Sequence, residues 1–271
     1  MNECGDLRKM KTRLREDGSA EYHLPLGDSR HIALAPLIGR ALRLEWTGEI
    51  HCVHCGRKTG KSFSQGYCFP CMRRLARCDT CIVKPERCHY HQGTCREPDW
   101  AEANCLRPHV VYLANSSGLK VGITRASQIP TRWIDQGATQ ALPILQASER
   151  LLAGRAEVAL KQHVSDRTQW QRMLRGEADP VDLEAERDRL LALAAEALAT
   201  LASGITALPE ARVTAIRYPV RQYPSKIKAL NFDKQARIEG TLLGIKGQYL
   251  IFDTGVVNVR KFAGYRVALA A

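Results

Sequence analysis

The sequence predicts an α+β protein built in several parts, and three observations predict it. Short runs that alternate in hydropathy lie near both ends, a cysteine-rich stretch without apolar periodicity fills the centre, and a strand-strand-helix-strand-helix pattern follows it. The 271 residues suffice for two domains, or for one core with appended modules. A composition of 45% hydrophobic and 25% charged residues is that of a folded chain and excludes general disorder.

Taken in order, residues 1–51 form an N-terminal β segment. Its clearest strand alternates Leu42, Leu44 and Trp46 with Arg43, Glu45 and Thr47, one face apolar and the other polar. Residues 52–108 form the cysteine-rich region, and residues 109–205 a small module with a following helix. That long amphipathic helix is expected to open at Asp179-Pro180, run through an Ala- and Leu-rich interior over Val181–Ser203, and end at Gly204. Its apolar stripe is expected to pack on a neighbouring domain. Residues 206–271 return to short strands punctuated by Gly240, Gly244, Gly247, Gly255 and Gly264, which suits a small antiparallel sheet able to pack with the N-terminal strands. Asp253-Thr254-Gly255 and Gly244-Ile245-Lys246-Gly247 both read as turns.

The cysteines carry the sharpest chemistry. Cys52-x2-Cys55 and Cys68-x2-Cys71 are two tight turns, each able to aim two thiolates at one tetrahedral ion, and together they complete a four-sulfur shell. Gly56 and Gly66 flank the pairs, where such knuckles need open backbone angles. A second zinc site is expected from Cys78, Cys81, Cys88 and Cys95, with His91 and Cys105 as alternative ligands. Sulfur-only shells leave no open position, so both zinc sites read as structural. The zinc would hold a stretch too poor in apolar residues to fold unaided.

Charge points to a partner. The chain carries 40 Lys+Arg against 28 Asp+Glu, a net charge of +12, which favours nucleic acid over other polyanions. Arg57, Lys58, Lys61, Arg73, Arg74 and Arg77 cluster within the cysteine-rich region as candidate phosphate contacts, with Phe63, Tyr67 and Phe69 available for base stacking. The first ten residues lack the apolar core of a secretory signal. The longest apolar stretch, Leu190–Ala202, is interrupted by Glu196 and too short to span a bilayer. The expectation is a cytoplasmic protein with reduced cysteines and no membrane partner.

Residues 109–174 supply the candidate active site. A strand over Val110–Ala114, a turn over Asn115–Gly118 and a strand over Leu119–Thr124 precede a short helix bearing Arg132-Trp133. A strand near Leu142–Gln146 and a helix bearing Glu157 complete the pattern. This order of elements resembles the GIY-YIG nuclease fold. Tyr112 in Val110-Val111-Tyr112 matches the tyrosine of the first motif, Gly122 in Lys120-Val121-Gly122 the glycine of the second, Arg132 the helix arginine, and Glu157 the acidic metal ligand. The resemblance implies a metal-dependent endonuclease. In it Glu157 would hold Mg²⁺ or Mn²⁺, Arg132 would clamp a phosphate, and Tyr112 or Lys120 would act as the base. Lys120 stands where most members have a tyrosine, and Gln136 where a histidine or tyrosine is usual. Those departures keep two rivals open: a catalytically inactive DNA- or RNA-binding module on the same scaffold, and a zinc-stabilised protein-interaction factor. In the stretches CHYHQGTCREPDW and GIKGQYLIFDTGVVNVRK the chain also resembles an uncharacterised bacterial family that joins cysteine clusters to such a module.

Overall fold

The alternation at Leu42 and Leu44 buries both side chains on one face of a ten-residue strand, with Ala41 and Arg43 facing solvent. The structure is a computed structural model and describes residues 2–164 and 169–271. The N-terminal segment forms β1 (Asn2–Asp6), β2 (Lys11–Leu14), β3 (Ala20–Leu26), β4 (Arg30–Ala33) and β5 (Ala41–Ile50). The cysteine-rich region contributes α1 (Phe69–Arg74), α2 (Pro98–Asn104) and several single 3-10 turns. Next come β6 (His109–Asn115), β7 (Leu119–Arg125), α3 (Thr131–Asp135), β8 (Gln140–Ala147) and α4 (Arg150–Lys161), in the predicted order of elements. Residues 165–168, which fall inside the stretch assigned to the nuclease-like module, lie outside the described residues. The remainder is α5 (Trp170–Arg175), α6 (Leu183–Leu193), α7 (Ala195–Ala199), β9 (Ile205–Ala207), β10 (Thr214–Ala215), β11 (Arg237–Lys246), β12 (Tyr249–Phe252), β13 (Gly255–Asn258) and β14 (Tyr265–Ala270).

Three antiparallel sheets organise these elements, and the fold is α+β. A six-stranded sheet runs β1-β14-β5-β11-β12-β13, so strands from both ends of the sequence share it. Within it β14 pairs β1 on one side, with Asn2 opposite Ala270, and β5 on the other, with Tyr265 opposite Ile50. A second sheet places β6 between β7 and β8, with β9 and β10 added along the outer edge of β8. The third is the small meander β2-β3-β4. All seven residues of β6 are buried, because its two faces feed two cores. Val110, Tyr112 and Ala114 join a core shared with the six-stranded sheet, the meander and Trp133-Ile134 of α3. Val111 and Leu113 join a second core with Ala153, Ala156 and Leu160 of α4 and Leu183 and Leu190 of α6. Among the described residues, no helix is long and apolar enough to cross a membrane.

Two expected elements differ. The long helix starts at Leu183, not at Pro180, and breaks at Ala194 into α6 and α7. Its N-cap is Asp182, whose carboxylate accepts the Ala185 N–H at 3.0 Å. Residues 179–181 are held outside the helix by side chains of the neighbouring sheet. Asn115 donates to the Asp179 carbonyl at 2.8 Å, and the Gln140 amide bonds both N–H and C=O of Val181. The second difference concerns Gly244-Ile245-Lys246-Gly247. Only Gly247 turns; the other three residues belong to β11, where Val220 packs so tightly against Gly244 that a Cβ there would lie 2.6 Å from the Val220 Cα. Asp253-Thr254 is the expected turn, joining β12 to β13.

Candidate functional site: a four-cysteine centre and a basic cleft

Cys52, Cys55, Cys68 and Cys71 meet as the spacing predicts. Their sulfur atoms all lie within 4.8 Å of one another, and the cluster can hold a zinc ion. Two local turns bring them together. Cys52 N–H donates to the Arg57 carbonyl and Gly56 N–H to the Cys52 carbonyl, both at 2.9 Å, with Gly56 at a φ of 72°. The second turn is a Phe63–Tyr67 bridge with Gly66 at a φ of 129°; Cys68 then precedes α1 and Cys71 sits in its first turn. Cys52, Cys68 and Cys71 are buried with Leu75, and Cys55 closes the exposed side. Burial opposes a thiolate at Cys52, yet backbone N–H groups of Cys55, Cys68 and His54 outweigh it and lower the thiol's pKa. Burial and the neighbouring sulfurs push Cys71 the other way. Four crowded thiols, one of them with a lowered pKa, are the donor chemistry of a metal site.

The second expected quartet is not gathered as one group. Cys78 packs against Cys52, Cys68, Cys71 and Leu75 of the first cluster, because its N–H is tied at 3.1 Å to the carbonyl of buried Leu75. Cys81, Cys88, Cys95 and Cys105 instead line one small cavity. Burial, then the Asp79 carboxylate, push the Cys81 thiol up to about 11. A second grouping is present beside them: Asp79, Cys81 and His89 each offer an atom within 4.8 Å of the others. His91, an alternative ligand in the sequence reading, pairs with Glu149 at 2.8 Å.

The four residues assigned to catalysis converge. Lys120 of β7, Arg132 of α3 and Glu157 of α4 line a cleft of about 230 Å³. Tyr112 of β6 lies beneath it, fully buried, its hydroxyl 3.1 Å from the Gln136 side-chain oxygen and its ring edge-on to Trp133. Gly122 of β7 faces Tyr112 so closely that a Cβ would sit 2.7 Å from the tyrosine hydroxyl. Burial raises the Tyr112 pKa against the opposing charge of Arg132, so the phenol stays protonated. Glu157 pairs with Lys161 at 3.2 Å.

Arg150, Gly154, Glu157 and Lys161 recur every three to four residues and so share one face of α4. Gly154 leaves that face bare, and the turn Pro85–Arg87 packs directly on it; a Cβ there would meet the Glu86 N–H nitrogen at 2.6 Å. The cysteine-rich region thereby forms one wall of the cleft through Ile82, Val83 and Pro85. Through Ile82, Val83, Ile123, Arg132 and Arg150 the cleft opens into a larger hollow of about 560 Å³. Lys9, Arg77, Arg125 and Arg260 line that hollow. Across both spaces eight basic side chains face three acidic ones, Asp79, Asp135 and Glu157. Burial and then the like charge of Arg132 lower the Arg260 pKa, and the Asp135 carboxylate in the same hollow opposes them.

Of the six basic residues expected to touch phosphate, Arg77 lines the hollow, its guanidinium 5.7 Å from the Trp100 ring centre. Arg57, Lys58, Lys61, Arg73 and Arg74 are exposed around the four-cysteine centre. Lys58 is paired with Glu49 at 2.8 Å, while Lys61 and Arg73 lie over Phe63 and Phe69. Phe63 and Phe69 also pack on each other, with centroids 5.5 Å apart. Sequence reasoning missed Lys9, Arg125, Arg150 and Arg260. Only Arg150 left a local signal, its seven-residue spacing from Glu157 on one helix.

A family described as a protein of unknown function (DUF2797) matches residues 39–267. The chain belongs to this family. No curated protein and no solved structure matches it. The DUF2797 match takes in the four-cysteine centre, every residue of the inner cleft and most of the six-stranded sheet. It leaves out β1 and the meander, so Lys9 is a cleft residue from outside the matched region.

Proposed function

We propose that this protein binds nucleic acid in the basic cleft and hydrolyses its phosphodiester backbone with the aid of a divalent metal. The observation that carries this is the meeting of Lys120, Arg132 and Glu157, from three separate elements, in one cation-walled cleft above Tyr112. The resemblance of residues 109–174 to the GIY-YIG nuclease fold supports the same reading.

In this reading Arg132, which lines the cleft, clamps a non-bridging phosphate pair with its planar fork, and Arg150 neutralises the charge that builds on phosphorus. Tyr112, held protonated by burial, positions Gln136 through its hydroxyl and leaves proton removal from the attacking water to Lys120, which would have to be in its neutral form to accept it. Glu157 is the residue that would hold Mg²⁺ or Mn²⁺, which supplies Lewis-acid stabilisation of the phosphate oxygens. Lys9, Arg77, Arg125 and Arg260 extend the phosphate track away from that point. Zinc at Cys52, Cys55, Cys68 and Cys71 fixes the ribbon beside the hollow, with Ser64 and Gln65 of its second turn forming part of the rim. A cytoplasmic setting, where thiols stay reduced, suits such a centre.

One observation favours the rival of binding without cleavage: the Glu157 carboxylate is already paired with Lys161 on its own helix. Cleavage of single- and double-stranded DNA and RNA in Mg²⁺ or Mn²⁺ decides between them, with binding scored for the same samples. Cutting that falls by about 10²- to 10³-fold in Glu157→Ala, with binding kept, is the expected result. Binding without cutting leaves a recognition module. Neither binding nor cutting overturns both and leaves the zinc-stabilised protein-interaction factor.

A further inference from the structure

We infer that Cys81, Cys88, Cys95 and Cys105 form a second structural zinc site, and that Cys78 is not one of its ligands. This assignment does not rest on the nucleic-acid reading.

The four thiols come from four separate places along the loop. Cys81 lies in the turn Thr80–Ile82, Cys88 follows the turn Pro85–Arg87, Cys95 follows the turn at Gly93, and Cys105 caps the end of α2. They line one small cavity of about 10 Å³, and their sulfurs must draw closer than they now lie to share an ion, since no three of them come within 4.8 Å of one another. Little apolar burial holds these turns together. Among residues 76–104 only Ala76, Pro85 and Ala101 are buried, far less than a stretch of this length needs to order itself. A metal drawn into the cavity supplies the missing cross-link.

The competing set is Asp79, Cys81 and His89, and its polar groups are already engaged. The Asp79 carboxylate holds the Arg96 guanidinium at 2.6 Å and caps the Cys81 N–H, while His89 Nδ1 lies 2.7 Å from the Thr94 hydroxyl. Binding an ion there sacrifices those bonds, whereas four thiols sacrifice none of comparable strength. Zinc also prefers sulfur to a carboxylate already held by arginine.

Arg150 gives an independent indication. Its backbone N–H donates to the Cys105 carbonyl at 2.8 Å, and Nη2 donates to the Ile82 carbonyl at 2.7 Å. Its Nε is buried without a hydrogen-bond partner among the described residues. Glu157, further along the same helical face, offsets part of this buried charge, and no hydrogen-bonded carboxylate meets Nε itself. A zinc ion with four thiolates carries a formal charge of −2 and answers that deficit. The same arginine lines the cleft, so the loaded site fixes both the wall formed by Ile82–Pro85 and the cation that reaches past it.

Metal analysis of the purified full chain tests this. About two zinc ions per chain are expected in the parent. Cys88→Ser and Cys105→Ser should each lower this to about one, as should Cys52→Ser, while Cys78→Ser keeps about two. The assignment is overturned if the parent holds about one, if iron replaces zinc, or if Cys78→Ser loses an ion that Cys105→Ser retains. Should a variant fail to fold, cobalt substitution of the parent reads the same quantity. Thiolate-to-cobalt charge-transfer absorbance should match eight sulfurs per chain, twice the roughly four expected of one centre; absorbance matching four overturns the second site.

Discussion

Cys52, Cys55, Cys68 and Cys71 close over a shared centre through two neighbouring turns, each with a glycine at positive φ. The cleft is assembled the opposite way: Lys9, Arg77, Arg132, Arg150 and Arg260 reach it from separate parts of the chain, brought there by sheet pairing and by a turn docked on α4. A centre made locally needs little from the rest of the fold and stands or falls with its ion. A cleft made by long-range packing keeps its shape when one cation is lost but depends on every contact that sets its walls.

The largest effect separates the two most cleanly. Stripping zinc from the four-cysteine centre, or Cys52→Ser with Cys71→Ser, removes a metal contribution on the order of 10 kcal/mol. Limited proteolysis should then cut between residues 52 and 75 while β6, β7 and β8 stay protected. Loss of protection in those strands as well would erase the distinction between the regions. Arg132→Ala acts only on the cleft, lowering cleavage by about 10²- to 10³-fold without moving the melting temperature or the zinc content.

Next is pH. His109 is fully buried in β6, with Nδ1 2.7 Å from the Arg107 carbonyl, and burial lowers its pKa to about 4. The folded state binds this proton less readily than the unfolded chain. Stability from this residue is therefore complete above pH ~6.5 and is lost as pH falls toward ~4, by about 3 kcal/mol. Denaturant melts across that range should be flatter for His109→Gln, and an unchanged slope would remove His109 as the cause. Gly122→Ala forces a methyl into the Tyr112 hydroxyl and should cost about 1–3 kcal/mol in the same melts. The smallest contrast compares cations. Arg260→Ala should weaken nucleic-acid binding by about 1 kcal/mol and lower its salt slope by about 1, whereas Lys58→Ala, paired with Glu49 outside the cleft, should do neither.

What was legible in the sequence follows the same division. Two-residue cysteine spacings and the alternation at Leu42 and Leu44 are local patterns, and both were readable. The order of elements from β6 to α4 was readable too, and it carried Lys120, Arg132 and Glu157 into one place. Lys9 and Arg260 were not, because an isolated basic residue gives no hint of which distant strand it will face. The packing of Cys78 was not readable either: Cys78-x2-Cys81 looks like one knuckle, yet Cys78 lies against the first cluster beside buried Leu75. The break at Ala194 was hidden by a run of good helix formers, in which nothing but tertiary packing marks an end.

The place of β14 sets a timetable. Synthesised after every other described strand, it is the one that separates β1 from β5 in the largest sheet. On the ribosome those two early strands must wait, each with an unsatisfied edge, until the final stretch of described chain has emerged. The cysteine ribbon faces no such delay, since all four of its ligands are translated long before. Metal capture can therefore precede sheet closure, and a folded ribbon would be the first landmark on which the rest of the molecule assembles.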